Sequence, residues 1–264
     1  MKVAFIGGGN MAGALIGGMV QAAFNASDID VVEIDAARRA ELAERDSVRT
    51  HELPGDWLRA SEVIVLAVKP QQMREAVAAI QPHLKQQCVL SIAAGVRAET
   101  ISSWLASGRI VRAMPNMPAL IRAGVTAAVA RPEVSAAQKA AADQILSAVG
   151  TVIWLDDEAM LDAVTALSGS GPAYVFYFIE AMHAAAVELG FDEAQARALT
   201  LQTFAGSAQL AAQSHESAQT LREKVTSKGG TTAAALASFE RDKVDQAIVR
   251  AIKAAAARAR ELGS

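Results

Sequence analysis

Val3-Ala-Phe-Ile-Gly-Gly-Gly-Asn-Met-Ala12 is the stretch whose reading decides the fold. A β-branched and aromatic run, Val3 to Ile6, stops at three glycines, and an apolar helical pattern of Met11, Leu15 and Met19 follows directly, with small residues between. The order is strand, tight turn, helix, and Gly7, Gly9 and Ala12 stand at the G-x-G-x-x-G/A spacing of a dinucleotide-binding turn. Gly7 makes the turn. Gly9 has no Cβ, so a pyrophosphate can approach the backbone, and Ala12 lets the helix lie close to the strand. The helix N-terminus adds free N–H groups and the positive end of its dipole. Residues 3–27 carry no charge, but Lys2 is the only basic residue in front, Gly-Gly-Gly-Asn breaks the apolar run, and no clean cleavage pattern follows. A secretory leader is therefore not expected.

Beyond this turn the chain alternates. Apolar runs at Val31 to Ile34, Val63 to Val68, Cys88 to Ile92, Arg109 to Arg112, Gly124 to Val129 and Thr151 to Leu155 read as strands, with helical patterns near 36–45, 71–81, 97–106 and 135–148. Val63-Ile-Val-Leu-Ala-Val68 is apolar throughout, as a strand covered on both faces must be. This alternation predicts a doubly wound, mostly parallel sheet of the Rossmann type. The pattern changes after Asp156-Asp157-Glu158, which reads as a solvated helix start. Helical patterns then fill 158–167, 172–189, 192–213, 216–225, 231–239 and 243–262. The expected organisation is an α/β nucleotide-binding domain over 1–157 and an all-helical domain over 158–264. Between Ala173 and Val187 the only ionisable side chains other than tyrosine are Glu180 and His183. A helix apolar on every face needs cover on every side, and a second copy of the chain is the expected cover.

Composition narrows the class. The 264 residues are 52% hydrophobic and 20% charged, enough for a packed core and against disorder. A net charge of −3 gives no footprint for nucleic acid or a membrane surface. Cys88 is the only cysteine, in an apolar run, and reads as a buried small hydrophobe. No apolar stretch is long and unbroken enough to span a bilayer, so a cytoplasmic protein is expected. The four histidines, His51, His83, His183 and His215, show neither metal-ligand nor triad spacing, and no metal site is expected.

Ligands of doubly wound sheets sit beyond the carboxyl ends of the strands. There the sequence places Ala67-Val-Lys-Pro70, Ser91-Ile-Ala-Ala-Gly95 and Arg112-Ala-Met-Pro-Asn-Met-Pro118. Lys69 either neutralises phosphate or stays solvated. Asn116 either turns its amide into the cleft or simply forms a turn. Asp35 follows Gly9 by 26 residues, where a carboxylate accepts hydrogen bonds from the adenosine ribose and repels a 2′-phosphate. That favours NADH, whereas Arg38 and Arg39, within one helical turn, suit NADPH. Two glycine clusters lie outside the sheet: Ser168-Gly-Ser-Gly-Pro172 and Thr226-Ser-Lys-Gly-Gly-Thr-Thr232. A loop of this kind ahead of a helix offers backbone N–H groups to a carboxylate, or it is an ordinary helix cap. Neither cluster holds a strong acid or base. The reduction of an imine fits this, because its nitrogen can be protonated from water.

Six motifs in order now carry a resemblance: Phe5-Ile-Gly-Gly-Gly-Asn-Met-Ala12, Ala67-Val-Lys-Pro70, Ala93-Ala-Gly95, Arg112-Ala-Met-Pro-Asn116, Leu167-Ser-Gly-Ser-Gly-Pro-Ala-Tyr174 and Val225-Thr-Ser-Lys-Gly-Gly-Thr-Thr232. Over nearly its full length the chain resembles the Δ1-pyrroline-5-carboxylate reductases, which complete proline biosynthesis. The resemblance implies an N-terminal Rossmann domain and a helical C-terminal dimerisation domain, in homodimers that assemble further into rings such as a decamer. It implies an active site between the nucleotide domain of one subunit and helices contributed by the dimer. It maps NADPH or NADH contacts to Ile6, Gly7, Gly8, Gly9, Asn10, Met11, Ala67, Val68, Lys69, Pro70, Ala93 and Ala94. It maps the imine substrate to Ser227, Gly229, Gly230, Thr231 and Thr232, with backbone N–H groups on the carboxylate and the Thr232 hydroxyl on the ring nitrogen. A β-hydroxyacid dehydrogenase would need a lysine acid on the helix after Gly171, where this chain has Tyr174 and no lysine before Lys224. A non-catalytic dinucleotide sensor would have no use for the second glycine cluster.

Overall fold

Each apolar run becomes a strand. β1 (Val3–Ile6), β2 (Ile29–Val32), β4 (Val63–Leu66) and β5 (Cys88–Ser91) are buried at every residue. With β3 (Arg49–His51), β6 (Ile110–Met114), β7 (Gly124–Ala130) and β8 (Gly150–Trp154), they form one eight-stranded sheet in the order β3-β2-β1-β4-β5-β6-β7-β8. All pairs are parallel except β6 with β7. The order reverses at β1, which pairs with β2 on one side and β4 on the other, so a crevice opens there beyond the strand ends.

Helices cover both faces. Leu15, Ile16 and Met19 of α1 (Asn10–Gln21), Leu42 of α2 (Ala36–Asp46) and Ile145 and Leu146 of α5 (Ala136–Ser147) pack with Phe5, Val65 and Leu90. On the opposite face Met73, Val77 and Ile80 of α3 (Met73–Ile80) and Ile101 and Leu105 of α4 (Ala98–Leu105) pack with Ile64 and Leu66. Each fully buried aliphatic side chain contributes about 1.5–3 kcal/mol of hydrophobic stabilisation.

The edge strand β3 has no apolar run and escapes the sequence reading. A buried carboxylate of its neighbour holds it. Asp30 on β2 accepts from Arg49 at 2.8 and 2.6 Å and meets His51 Nε2 at 2.7 Å. The His51 ring stacks on Trp57 with centroids 4.0 Å apart. Burial would raise the Asp30 carboxyl, but the hydrogen bonds from Arg49 and His51 outweigh it and hold the group below its ordinary value.

The structure is a computed structural model that describes residues 1–263. One compact unit comprises Met1–Ser170 and the chain from Ala255 on; the other is Gly171–Ala254. In the first, α6 (Met160–Val164) runs into a π-helical turn, Thr165–Gly169. The second holds α7 (Gly171–Glu188), α8 (Glu193–Gln213), α9 (Ala218–Lys224), α10 (Thr231–Arg241) and the first turns of α11 (Val244–Leu262). None of the residues of α7 is buried, and Tyr177 is 71% exposed. Phe176 and Met182 of α7 and Leu199 and Leu210 of α8 are also open. Leaving this much apolar surface in water is unusual for a monomer. Among the described residues no helix is long and apolar enough to cross a membrane, and no group of acidic, histidine or cysteine side chains could hold a metal ion.

Candidate active site

The glycine turn takes its shape from three different constraints. Gly7 sits at φ +99°, and a Cβ there would lie 2.8 Å from the Ala67 carbonyl oxygen, so only glycine lets β1 and β4 end this close together. The Gly8 N–H donates to Glu33 Oε2 at 2.8 Å. Gly9 is the N-cap of α1; it has ordinary extended backbone, and a Cβ there would meet nothing within 4 Å. No side chain caps α1 and no acid stands in its first turn, so its leading N–H groups lack a side-chain partner and the dipole is uncompensated. An open, anion-seeking helix end above a Cβ-free residue fits a pyrophosphate.

A cavity of about 350 Å³ opens beside this turn, at the reversal of strand order. Ile6, Gly7, Gly9, Ala67, Val68 and Lys69 line it, together with Glu33, Ile34 and Leu53. The other residues implicated by the sequence stand nearby in different states. Gly8 is buried beneath the turn. Asn10 is exposed and Met11 half-buried at the start of α1. Pro70 is exposed where the chain leads into α3. Ala93 is buried and Ala94 exposed just beyond β5.

Asp35 does not line the cavity. Its Oδ1 accepts from the N–H groups of Ala37 and Arg38 at 2.8 and 3.0 Å, which makes it the N-cap of α2. The acid directed at the glycine turn is Glu33, whose two oxygens accept from Gly8 N–H and Asp35 N–H. Its spacing could have revealed it, since Glu33 follows Ala12 by 21 residues and the ribose acid of this motif stands about 20 residues on. Arg38 and Arg39 are both engaged. Arg38 donates to the Gly8 carbonyl at 2.7 Å and pairs with Glu41. Arg39 donates to the carbonyls of Glu33 and Ile34 at 2.7 and 2.9 Å and faces Glu52.

A second set of contacts fixes the loop after β5. Glu158 Oε1 accepts from Ala98 N–H at the start of α4 and from buried Arg112 of β6, both at 2.8 Å. Glu158 is thus a bridge and not a solvated helix start. Arg97, in the same loop, pairs with buried Asp162 and donates to the Gly263 carbonyl. Asn116 is a structural pin: its oxygen accepts from Val125 N–H at 2.9 Å and its nitrogen donates to the Ser168 carbonyl at 3.2 Å. The first glycine cluster is no open loop either. It begins in the π-helical turn, where Ser170 N–H donates to the Thr165 carbonyl at 2.8 Å, and it continues straight into α7.

The second cluster is open. The Ser227 carbonyl accepts from Gly230 N–H at 3.1 Å, closing a turn with Gly229 at φ +72°. Gly230 is the N-cap of α10 and supplies no side-chain cap. Thr231 and Thr232 form the first turn, and among the described residues the Thr232 hydroxyl has no hydrogen bond and caps nothing. Ser227, Gly229 and Thr231 are exposed, Gly230 and Thr232 half-exposed. Backbone donors and a free hydroxyl therefore stand together at a helix N-terminus.

These features define a Rossmann-type dinucleotide-binding protein that carries a separate helical unit. A family model described as pyrroline-5-carboxylate reductase dimerisation matches residues 158–262, and one described as NADP oxidoreductase, coenzyme F420-dependent, matches residues 2–95. Pyrroline-5-carboxylate reductase of Pseudomonas aeruginosa is 44% identical over 263 residues, 99% of this chain and 96% of its own. A structure of a pyrroline-5-carboxylate reductase from Coxiella burnetii superposes with a TM-score of 0.94 at 37% identity, over 100% of this chain and 98% of that one. The Plasmodium falciparum pyrroline carboxylate reductase, crystallised with NADP bound, gives 0.89 at 28% identity over the same shares. The chain belongs to the pyrroline-5-carboxylate reductase family.

Proposed function

We propose that the protein reduces 1-pyrroline-5-carboxylate to L-proline with NAD(P)H, the last step of proline biosynthesis. The observation that carries this reading is the full-length identity to the Pseudomonas aeruginosa reductase. It is supported by two open helix N-termini, one over Gly9 and one over Gly230, each without a side-chain cap.

The first binds the dinucleotide. Its leading N–H groups hold the pyrophosphate, and Lys69 lies in the adjoining cavity to neutralise it. Ile6 to Met11, Ala67 to Pro70 and Ala93 to Ala94 are the contact residues, in a nucleotide domain of 1–157. Bound reduced nicotinamide supplies the hydride that C5 of the imine accepts. The second N-terminus, in a domain of 158–264, binds the substrate. Backbone N–H groups from Gly229 to Thr232 hold its carboxylate, with Ser227 alongside. The Thr232 hydroxyl hydrogen-bonds the ring nitrogen, which is protonated from water before the ring is enclosed and becomes an amine as C5 takes the hydride and the C=N π electrons move onto nitrogen. Fixing the reacting ring and keeping water from it supplies much of the barrier reduction, so no strong acid or base is required.

The carboxylates near the cavity support NADH as the preferred cofactor. The apolar faces of α7 and α8 support a homodimer built through the helical domain, and light scattering would distinguish this dimer from a larger ring. The activity is tested by mixing the purified protein with 1-pyrroline-5-carboxylate and NADH or NADPH and following the absorbance of the reduced nicotinamide. Substrate-dependent loss is expected. An unchanged signal with both cofactors would refute the reading.

A further inference from the structure

We infer that Arg97 is a positioning residue for the nicotinamide end of the dinucleotide: docked on the C-terminal turn that follows α11 and on buried Asp162, it fixes the loop that carries Ala93 and Ala94. This role builds on the reading of the protein as a dinucleotide-dependent reductase.

Strand order tells the two ends of the cofactor apart. The pyrophosphate belongs over Gly9, beyond β1. On one side of β1 lie β2 and β3, followed by the cavity walls Glu33, Ile34 and Leu53; on the other lie β4 and β5. A dinucleotide lies across the strand ends, so with adenosine on the β2 side the nicotinamide crosses β4 toward β5. Neighbouring strands are about 4.8 Å apart, which puts the end of β5 about 10 Å from β1, within reach of a nicotinamide riboside. Residues 92–97 stand there, between β5 and α4.

Ala93 and Ala94 have no polar side chain with which to hold their own place. The hold comes from the far end of the chain. Gly95 turns the loop at φ +76°, and a Cβ there would lie 3.1 Å from the Leu262 carbonyl oxygen, so backbone rests directly against backbone. Two residues on, Arg97 Nε donates to the Gly263 carbonyl at 3.3 Å, and a terminal nitrogen of the same guanidinium pairs with Asp162 at 3.5 Å. Asp162 is 4% exposed. A buried carboxylate needs a partner, the C-terminal end of a helix favours a cation, and one planar fork serves both. Gly263 is itself fixed, because its N–H donates to the carbonyls of Ala259 and Arg260. Arg97 is also the N-cap residue of α4, where Glu158 accepts the very next N–H. The loop is thus pinned on the side leading into α4 by groups from positions 158, 162 and 263, all within the nucleotide unit.

The test compares Arg97→Ala, Arg97→Lys and a control, Arg258→Ala, with the unaltered protein. Arg258 pairs only with Glu261 on the last turns of α11 and leaves the loop untouched. Calorimetry measures the affinity for whichever of NADH and NADPH is used, and for the matching adenine fragment, ADP-ribose or its 2′-phosphate. That fragment fills the glycine turn and stops short of the loop. Turnover gives kcat, and thermal melts give stability. Arg97→Ala should lower kcat by about 10- to 100-fold, the cost of misplacing a reacting ring by a fraction of an ångström to an ångström. It should weaken the whole cofactor by about 5-fold relative to the fragment, the loss of one contact, and leave the fragment bound as before. Its melting temperature should fall, because Asp162 loses its cation. Arg97→Lys keeps a charge beside Asp162 but cannot reach both partners; it should recover most of the melting temperature and not the kcat, and it carries the test if the alanine variant does not fold. Arg258→Ala should change neither affinity nor kcat. A purely thermal effect in the Arg97 variants, or an equal loss of fragment and whole cofactor, would overturn the inference and reduce Arg97 to an anchor for the C-terminus. Failure of the unaltered protein to bind cofactor or fragment would overturn the underlying reading instead.

Discussion

Alanine at position 9 should damage cofactor binding and spare the fold, whereas alanine at position 7 should damage the fold. At Gly9 the backbone is extended with φ −63°, which alanine adopts without strain, and the new methyl meets no atom within 4 Å. Its stability cost is the poorer N-cap, about 0.5–1 kcal/mol, or a few degrees in a chain of this size. The methyl instead occupies the space through which a phosphate oxygen reaches the first N–H groups of α1 at about 2.9 Å. Losing one charge-assisted hydrogen bond costs about 1.5–3 kcal/mol, so the dissociation constant for NAD(P)H should rise roughly 10- to 150-fold. At Gly7 the chain sits at φ +99° and the methyl would lie 2.8 Å from the Ala67 carbonyl oxygen and 3.0 Å from Val68 Cγ1. Backbone strain of about 1–3 kcal/mol and overpacking of about 1–3 kcal/mol should lower the melting temperature by roughly 5–20 °C. Thermal melts and fluorescence titration with the reduced cofactor, run on both variants, separate the two effects. Unchanged affinity in Gly9→Ala would show that no phosphate approaches this turn.

Thr232→Ala should lower kcat/KM roughly 10- to 150-fold through loss of a hydrogen bond to a charging nitrogen, with little change in melting temperature because Thr232 caps nothing; Thr232→Ser should keep most activity, and a purely thermal effect would remove Thr232 from the chemistry. Burial pushes the Cys88 thiol up to about 12, so a disulfide reagent at pH 8 should leave the native protein untouched and titrate the thiol only in denaturant. Because the Asp30 carboxyl is held below its ordinary value, its stabilising effect is complete above about pH 4 and disappears as pH falls through the lowered folded value. Asp30→Asn should therefore reduce stability at neutral pH and flatten the acid limb of the unfolding curve; an acid limb of unchanged slope would place the titration elsewhere.

The sheet was legible because its central strands are covered on both faces, which forces unbroken apolar runs such as Val63 to Leu66. The glycine turn was legible because Gly7 and Gly9 answer local steric demands within a few residues. Where partners lie far apart in the chain, the signal vanished. β3 depends on Asp30, some 20 residues earlier, and Glu158 finds Ala98 and Arg112 across more than 45 residues. Asp35 and Glu33 show a different limit. A strand-to-helix junction rewards an acid both as a helix cap and as a ribose ligand, and only the folded chain separates the two, with Asp35 capping α2 and Glu33 bound to Gly8 N–H of the turn. Asn116 shows the same ambiguity: the sequence allowed either an amide turned into the cleft or a turn-forming residue, and the amide in fact bonds Val125 N–H and the Ser168 carbonyl.

The central claim is hydride transfer to a cyclic imine, and isotope transfer measures it directly. The protein is incubated with 1-pyrroline-5-carboxylate and NADH or NADPH carrying deuterium on the transferring face of the nicotinamide, and proline is analysed by mass. The account predicts L-proline heavier by one deuterium, located at C5, in a one-to-one ratio with the cofactor oxidised. Cofactor oxidation without labelled proline, or no oxidation at all, would contradict it.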